Sequence, residues 1–420
     1  MNVICAYTAN VDAVCNICGE EISRLLPRDI KIELKQSIAS REDLLSCLLF
    51  CMMQGSGAEI LIENDTVARQ IEESFSWQFR LGGNAAIMAN VLALLGAKPV
   101  LNAPALGPRL ASMLHSAVSV PGFRAESPLQ EEKTEMVHFV FQFKKGSEIL
   151  SDGRRIIAPN DNRFIATYDP VNTRILSSQD FDNYCRENVE DIDGALLSGF
   201  HLAPLKGYQE IFTERIAQIR SWKEKNPQIF IHAEMGSFQS PVVMHSLLSL
   251  LPKIPADSLG LNEDELAAAE VLQPGLSPSG WQESMQAAMR LRERLGIFRV
   301  AVHTRDYILS VMQQGMISAQ DELIALNNGV EAATSLAATG IANSKAEAEI
   351  NPLGLDAVEE FCRNGAIGSR RGAFLHQGKV IVSLMPSLVV HKPRITVGLG
   401  DTATATMFFQ ELLAIRKMSD

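Results

Sequence analysis

The feature of this sequence that most restricts its fold is a regular alternation of apolar strands and helices in its second half. Short apolar runs predict buried strands, at residues 194–200, 229–234, 258–262 and 299–304. The segments between them have helical spacing, at residues 208–225, 242–251 and 281–295. Strands that alternate with helices build a mainly parallel sheet with helices on both faces. The predicted fold class is therefore α/β.

Length and composition favour a large globular protein with an acidic surface. The chain has 420 residues, of which 46% are hydrophobic and 21% charged, and this is enough material for more than one domain. We find no uncharged apolar stretch of the ~18–20 residues that a membrane helix needs, and no secretory signal. A net charge of −11 argues against nucleic acid or an anionic membrane as the main partner. Seven cysteines, an odd number, fit a reducing compartment, so we expect a cytoplasmic location.

The first half of the chain mixes regular and irregular patterns. It predicts helices at 41–54 and 85–95, and strands at 3–9, 58–62, 99–103 and 137–143. Residues 15–37 and 126–189 have fewer smooth α/β patterns, and we assign them to a small second domain. The large domain then comprises residues 1–14, 38–125 and 190–420.

Polar side chains lie at or just after the ends of three of the predicted strands. Asn10 and Asp12 follow the first strand, Glu234 ends another, and Glu265 lies just after the strand at 258–262. The carboxyl ends of parallel strands share one edge of a sheet, and ligands bind there. Glu234 and Glu265 therefore become candidates to hold Mg²⁺, which prefers hard oxygen ligands. Taken singly, each acid also fits a helix cap or a solvated carboxylate.

A Gly398-Leu399-Gly400-Asp401 turn lies where an apolar segment leads into a helix predicted at 403–415. Glycines permit a tight turn and a close ligand approach, and the free N–H groups of a helix start favour an anion. Asp401 beside such an anion could take a proton from an attacking hydroxyl group, as a general base does in phosphoryl transfer. The alternative is an ordinary helix N-cap.

A second glycine turn, Gly82-Gly83-Asn84, opens the helix predicted at 85–95. Its small residues allow a ligand to lie on the backbone, and the Asn84 amide can bond a hydroxyl group. Close helix packing under a glycine turn explains the same pattern.

Taken together, these motifs resemble the ADP-dependent phosphofructokinase/glucokinase family, within the ribokinase-like superfamily. The matching segments follow the family's order and span nearly the whole chain, at 9–13, 80–85, 162–165, 232–234, 261–265 and 397–401. The resemblance implies a ribokinase-like large α/β domain with a small, discontinuous lid domain. It also implies ADP as phosphoryl donor, AMP as product and Mg²⁺ as cofactor.

The resemblance assigns a role to individual residues. Asp401 matches the catalytic base, Gly398 and Gly400 the anion hole, and Arg163 a phosphate-contacting arginine. The residues expected to organise the metal are Glu234, Glu265 and Asp401. Those expected to contact the sugar are Asn10, Asp12, Glu59, Gly83, Asn84, His138, Lys145 and Asn162. Those expected to contact the nucleotide are Asn262, Thr396, Val397 and Leu399.

The resemblance leaves the acceptor open between two sugars. Basic groups such as Arg163 and Lys145 suit fructose 6-phosphate, whose product would be fructose 1,6-bisphosphate in glycolysis. Glu59 suits glucose, because related glucokinases hold glucose with a carboxylate in this region. We expect fructose 6-phosphate as main acceptor, with glucose as the alternative, and a monomer or small homo-oligomer. Two further alternatives are an ATP-dependent ribokinase-like sugar kinase and a catalytically inactive sugar- or nucleotide-binding protein.

Overall fold

The computed structural model describes residues 1–123, 135–151, 153–236, 238, 240–270 and 280–419. In chain order its strands are β1 (Asn2–Ala6), β2 (Asn10–Asn16), β3 (Ala58–Leu61), β4 (Gln78–Gly82), β5 (Lys98–Leu101), β6 (Val137–Phe143), β7 (Glu148–Ser151), β8 (Arg154–Ile157), β9 (Asn162–Tyr168), β10 (Gly194–Leu197), β11 (Phe230–Glu234), β12 (Ser258–Asn262), β13 (Arg299–His303), β14 (Tyr307–Gln313), β15 (Glu349–Ile350), β16 (Ile367–Ser369), β17 (Gly372–Gln377), β18 (Val380–Pro386) and β19 (Leu388–Val389). Its α-helices are α1 (Gly19–Leu25), α2 (Arg41–Gln54), α3 (Asp65–Ser74), α4 (Asn84–Leu94), α5 (Pro108–Met113), α6 (Gln179–Asn188), α7 (Tyr208–Lys225), α8 (Pro241–Leu250), α9 (Glu263–Ala269), α10 (Trp281–Leu295), α11 (Ala319–Thr339), α12 (Pro352–Arg363) and α13 (Leu399–Ser419).

The larger sheet confirms the predicted α/β class. Its strand order among the described residues is β16-β17-β18-β14-β13-β12-β11-β10-β1-β5. The strands from β13 to β5 pair in parallel, whereas β14, β18, β17 and β16 extend the sheet with antiparallel pairing. The carboxyl ends of the parallel strands therefore form one common edge, where α/β proteins bind ligands.

Helices pack on this sheet around an apolar core. Helix α13 lies between α4 and α11. Another large group of buried side chains, including Phe212 of α7, Leu247 of α8 and Leu291 of α10, packs against β10 to β13. Within the part of the chain that the structure describes, no helix is long and apolar enough to cross a bilayer.

A smaller sheet has the order β3-β9-β6-β2-β4, with its own core around Phe139, Phe141, Phe164 and helix α2. The segments that build this sheet differ from those of the predicted small domain. Residues 10–14 and the segment from α2 to β4, which we placed in the large domain, belong to it, because β2 pairs with both β4 and β6. The predicted strand at 3–9 ends at Ala6, and a separate strand, β2, begins at Asn10 in the smaller sheet.

The opposite difference is found at the end of the predicted small domain. Helix α6 packs Phe181 and Cys185 into the core of the larger sheet, although we placed residues up to 189 in the small domain. Strand periodicity identifies a strand but not the sheet that it joins, so the sequence could not assign these segments to one sheet or the other. The predicted boundary between residues 125 and 126 lies outside the described residues.

The chain passes between the two sheets at neighbouring places. One passage joins β1 to β2, a second joins β4 to α4, and a third leaves β9. Asn172 follows β9, and its side chain donates to the Ala9 carbonyl oxygen (3.1 Å) while its Oδ1 accepts from the Ala9 amide (3.4 Å). The amide of Ala86 donates to the Thr8 carbonyl oxygen (3.2 Å). These bonds hold the three passages together beside the polar edge of the large sheet.

Candidate active site

A small cavity of about 130 Å³ lies where the two sheets meet. The smaller sheet and the larger sheet with its helices both contribute side chains to it. Its lining residues are Thr8, Asn10, Asp12, Glu59, Gly83, Asn84, Ile87, His138, Val140, Arg163, Ile165, His201, Leu202, Val397 and Asp401. The structure thus brings together most of the residues that the sequence assigned to the sugar and the catalytic base.

The predicted turn before a long helix is present, and α13 begins at Leu399 rather than at 403. Gly398 has a φ of +75°, a conformation that favours glycine. No acceptor among the described residues bonds the amides of Leu399, Gly400 and Asp401. These amides are free to hold an anion, because the first N–H groups of a helix lack partners within the helix.

Asp401 stands at this helix start and faces the small cavity. Burial raises the pKa of its carboxyl group to about 6, while the hydrogen bond from Asn84 Nδ2 (2.6 Å) lowers it in part. A carboxylate with a pKa just below neutrality is suited to accept a proton as general base.

A larger groove of about 870 Å³ lies on the other side of the same turn. Its lining includes Asn262, Thr396 and Leu399, three of the residues assigned to the nucleotide, together with Gly400. The fourth, Val397, lines the small cavity instead. The turn at 396–401 therefore separates the two openings and borders both.

The small cavity is rich in groups that bond hydroxyls. Asn10 Nδ2 donates to Asp12 Oδ1 (2.8 Å), and Thr167 Oγ1 donates to Glu59 Oε1 (2.8 Å). Burial raises the pKa of Asp12 to about 6, against the lowering effect of the charge on His138. Gly83 has a φ of +81°, and a Cβ atom there would lie 2.7 Å from the Thr8 carbonyl oxygen. Only glycine fits at this crossing of the chain.

His138 is the cavity's charged histidine. Burial lowers its pKa, but the hydrogen bond from Nε2 to Asp169 Oδ2 (2.9 Å) and the charge of Asp169 outweigh burial and raise the pKa to about 9. The imidazole is therefore cationic at neutral pH.

This pair predicts a pH-dependent stability. A histidine whose pKa is raised on folding stabilises the folded state. This stabilisation is fully present below the unfolded pKa of about 6.5 and is lost as pH rises through the folded pKa of about 9. The His138→Gln variant should therefore be less stable than wild type by up to about 3 kcal/mol at pH 6, with the difference shrinking towards pH 10. Urea unfolding across this pH range measures it, and a difference independent of pH would contradict the prediction.

Glu234 is a buried carboxylate surrounded by donors. Its Oε1 lies 2.8 Å from His303 Nε2, and its Oε2 lies 3.0 Å from His232 Nε2 and 3.2 Å from Thr404 Oγ1. Burial raises the pKa of Glu234. Burial lowers the pKa of His232 to about 3 and also lowers that of His303. Both imidazoles are therefore neutral.

Glu265 completes a capping box at the start of α9. Its Oε2 accepts from the Asn262 amide (2.9 Å), and its own amide donates to Asn262 Oδ1 (2.9 Å). Burial, followed by the nearby charges of Glu234 and Asp401, raises the pKa of Glu265 to about 8. Burial thus raises the pKa of all three acids, and the charge of Glu234 adds to the increase at Asp401 and Glu265. Such a poorly solvated group of acids suits a divalent cation.

The acids fit a Mg²⁺ ion that is also bound by water and by substrate phosphates. Among the described residues, no group of three or more His, Cys, Asp or Glu side chains could hold a metal alone. Mg²⁺ keeps several waters and commonly uses one or two carboxylates with substrate phosphates. Glu234, Glu265 and Asp401 could supply these carboxylate ligands, either directly or through water.

Gly260 makes room for Glu234. It is the register partner of Glu234 on β12, and a Cβ atom there would lie 2.0 Å from Glu234 Oε2 and 2.8 Å from His232 Nε2. The carboxylate therefore occupies the space that a side chain at 260 would fill.

We expect Gly260→Ala to displace the Glu234 carboxylate and to destabilise the protein by about 1–3 kcal/mol, as overpacking does in a buried site. Thermal unfolding and turnover measure the two effects. The matched control is Gly280→Ala, because the nearest atom to a Cβ at Gly280 is 3.6 Å away. Equal behaviour of the two variants would contradict this account of Gly260.

Two residues assigned to the sugar lie outside the small cavity. Lys145 is exposed in the turn after β6, and the Asn162 side chain donates to the Gly55 carbonyl oxygen (3.2 Å). Strand alternation explains Asn162, since Arg163 and Ile165 face the cavity from β9 and the residue between successive inward positions faces away.

Sequence reasoning missed several residues of the site. His303 ends β13 at the same edge as Glu234 and Asn262, so the rule that located those residues could have found it. Thr8 and His201 line the cavity without any sequence signal, because only the crossing of the two sheets brings them there.

Comparison with known proteins agrees with this architecture. The profile described as "ADP-specific Phosphofructokinase/Glucokinase conserved region" matches residues 1–410. An ADP-dependent glucose/glucosamine kinase of Pyrococcus abyssi is 27% identical, over 97% of this chain and 94% of that protein. An ADP-specific phosphofructokinase of Methanosarcina acetivorans is 25% identical, over 98% of this chain and 93% of that protein.

Solved structures show the same fold. The crystal structure of a hypothetical ADP-dependent phosphofructokinase from Pyrococcus horikoshii OT3 has a TM-score of 0.83 and 24% identity, over 99% of this chain and 98% of that one. An ADP-dependent kinase in complex with fructose-6-phosphate and ADPbetaS has a TM-score of 0.80 and 24% identity, over 99% and 94% of the two chains. Since the family profile spans nearly the whole sequence, the chain belongs to the ADP-specific phosphofructokinase/glucokinase family.

Proposed function

We propose that this protein transfers the β-phosphoryl group of ADP to fructose 6-phosphate, forming fructose 1,6-bisphosphate and AMP. The observation that carries the proposal is the turn at 396–401. Val397 and Asp401 line the small polar cavity, whereas Thr396, Leu399 and Gly400 line the large groove. A sugar in the cavity and a nucleotide in the groove would therefore meet at the free amides of the turn.

The residues of the turn can perform each part of the transfer. Asp401 accepts the proton of the sugar hydroxyl while the oxygen of that hydroxyl forms a bond to the β-phosphorus. The bond from phosphorus to the bridging oxygen breaks, and AMP leaves with that oxygen. The amides of 399–401 stabilise the negative charge on the transferred group.

We further propose Mg²⁺ as cofactor, organised by Glu234, Glu265 and Asp401. When bound, the metal would neutralise part of the diphosphate charge. The support is the set of three acids whose pKa values burial raises, close to the free amides.

Arg163 supports a phosphorylated sugar. Its side chain is exposed and lines the cavity, and no carboxylate among the described residues forms an ion pair with it. A guanidinium free of other partners can bind phosphate oxygens in a bidentate manner.

Glucose is a second candidate acceptor, and Glu59 is the observation that favours it. Its carboxylate lines the cavity, where it could accept a hydrogen bond from a sugar hydroxyl and would repel a phosphate group placed beside it.

The Glu59→Ala variant separates the two acceptors. Because hydrogen bonds to charged groups contribute about 1.5–3 kcal/mol, we expect kcat/KM for glucose to fall by roughly 10- to 100-fold. Turnover of fructose 6-phosphate should be unchanged or improved. Steady-state kinetics with both sugars measures this, with Glu63→Ala, a carboxylate outside the cavity, as control. Equal losses for the two sugars would contradict a selective role for Glu59.

The first test of the proposed function is an assay with Mg²⁺ in which ADP or ATP is combined with fructose 6-phosphate or glucose. Formation of AMP and fructose 1,6-bisphosphate from ADP is the expected result. Turnover with ATP alone would indicate an ATP-dependent sugar kinase, and binding without turnover would indicate an inactive binding protein.

We also propose a cytoplasmic location and a role in glycolysis. All seven cysteines are free thiols, which supports a reducing compartment.

A further inference from the structure

Three buried polar residues form a row across the large sheet. His232 on β11 is the register partner of Ser258 on β12, and Ser258 is the register partner of Arg299 on β13. All three side chains are almost completely buried, at 2%, 0% and 0% exposure. Two residues further along β11 and β12, on the same face of the sheet, Glu234 pairs with Gly260, so the row lies directly behind the proposed metal-organising carboxylate.

The row is connected by hydrogen bonds. Arg299 Nη1 lies 3.4 Å from Ser258 Oγ, and Ser258 Oγ lies 2.9 Å from His232 Nδ1. His232 Nε2 then lies 3.0 Å from Glu234 Oε2. The connection runs without a gap from the core of the protein to the site.

The chemistry of these groups gives the connection one direction. A guanidinium has donors only, so Ser258 Oγ must accept from Arg299. Among the described residues, the other hydrogen-bond partner of the Ser258 hydroxyl is His232 Nδ1, so the hydroxyl donates its single proton to Nδ1. The proton of the imidazole then lies on Nε2 and is donated to Glu234.

We propose that Arg299 and Ser258 are positioning residues for Glu234, which they orient through the fixed tautomer of His232. The role of Glu234 toward the metal rests on the proposed function, whereas the tautomer of His232 does not. Residues behind metal ligands commonly orient them in this way.

We call the hydrogen-bonded connection from Arg299 through Ser258 and His232 to Glu234 the relay. Two helices hold its Arg299 end. Arg299 Nε donates to Glu322 Oε1 of α11 (2.9 Å), and Arg299 Nη2 lies 2.9 Å from Glu411 Oε1 of α13. Helix α13 also carries Thr404, which donates to Glu234 Oε2. The guanidinium therefore has a fixed orientation, and the relay starts and ends at the same helix.

The test is ¹⁵N NMR of the histidine-labelled free protein, which distinguishes the two imidazole tautomers. The His232 signals are those lost in His232→Gln. We expect wild type to show the Nε2–H tautomer and Ser258→Ala to show shifted His232 signals with a fraction of Nδ1–H. Ser258→Thr, which keeps the hydroxyl, should restore the wild-type signals.

The matched control is Ser383→Ala. Ser383 is also a fully buried serine of the same sheet, but its hydroxyl has no hydrogen-bond partner among the described residues. Its removal should leave the His232 signals and the enzyme unchanged.

The second readout is the Mg²⁺ concentration for half-maximal turnover. We expect Ser258→Ala to raise it by roughly tenfold, in the range found for residues behind metal ligands. Unchanged His232 signals in Ser258→Ala would overturn the relay, and changed signals with an unchanged Mg²⁺ requirement would overturn its role in positioning Glu234. A wild-type protein without turnover would refute the proposed function, while the NMR result would still decide whether the relay exists.

Discussion

Asp401→Asn is expected to lower kcat by roughly 10²- to 10⁴-fold, the usual contribution of a general base. Asparagine keeps an oxygen that can accept from Asn84 Nδ2, so the turn and its amides should persist. Binding of ADP, measured by calorimetry, should therefore change little. The expected result is a protein that binds nucleotide but does not turn over.

The pH dependence provides a second view of the same residue. Because burial raises the pKa of Asp401 to about 6, wild-type kcat/KM should fall as pH drops below 6 and the base becomes protonated. The residual activity of Asp401→Asn should lack this step. Asp356→Asn, an exposed carboxylate of α12, serves as control. Wild-type turnover in Asp401→Asn would eliminate Asp401 as the base.

Arg299→Met is expected to destabilise the protein by about 3–5 kcal/mol, because it leaves two buried carboxylates without a counter-charge. Glu322 and Glu411 are both fully buried, and the guanidinium is the cation that both contact. Urea unfolding measures the loss. The triple variant Arg299→Met, Glu322→Gln, Glu411→Gln should recover much of it, since no charge then remains at these three positions.

The loss in Arg299→Met should also depend on pH. Burial raises the pKa of Glu411 to about 7 even with Arg299 present. A carboxyl group whose pKa is raised on folding favours the folded state below its unfolded pKa of about 4.5, and this advantage is lost as pH rises through the folded value. Arg299→Met should therefore lose more stability, relative to wild type, at pH 8 than at pH 5. A loss that is equal at both values, or no recovery in the triple variant, would contradict the ion-pair account.

Local signals in the sequence were sufficient for many helices. Helices α2, α7 and α10 have the predicted bounds, and known capping residues mark three of their ends. Ser40 accepts from the Asp43 amide at the start of α2, and Gly55 and Gly296 end α2 and α10 in the left-handed conformation. Such boundaries depend on a few neighbouring residues, so they can be predicted from them.

Sheet membership could not be predicted in the same way. Strand β2 is separated from its partners β4 and β6 by more than sixty and more than one hundred residues respectively, and nothing local in residues 10–16 identifies those partners. The acids at strand ends were predictable because parallel strands share an edge. The relay from Arg299 was not, since it depends on the register of three strands.

Helix α13 carries groups with three different tasks at fixed intervals. Asp401 faces the small cavity, Thr404 bonds Glu234, and Glu411 meets Arg299 in the core. One residue added or removed between 404 and 411 would rotate one end of the helix by about 100° relative to the other. The buried ion pair and the active-site groups could not then both keep their partners. We therefore expect length changes to be excluded from this segment, even at positions where many single substitutions are accepted.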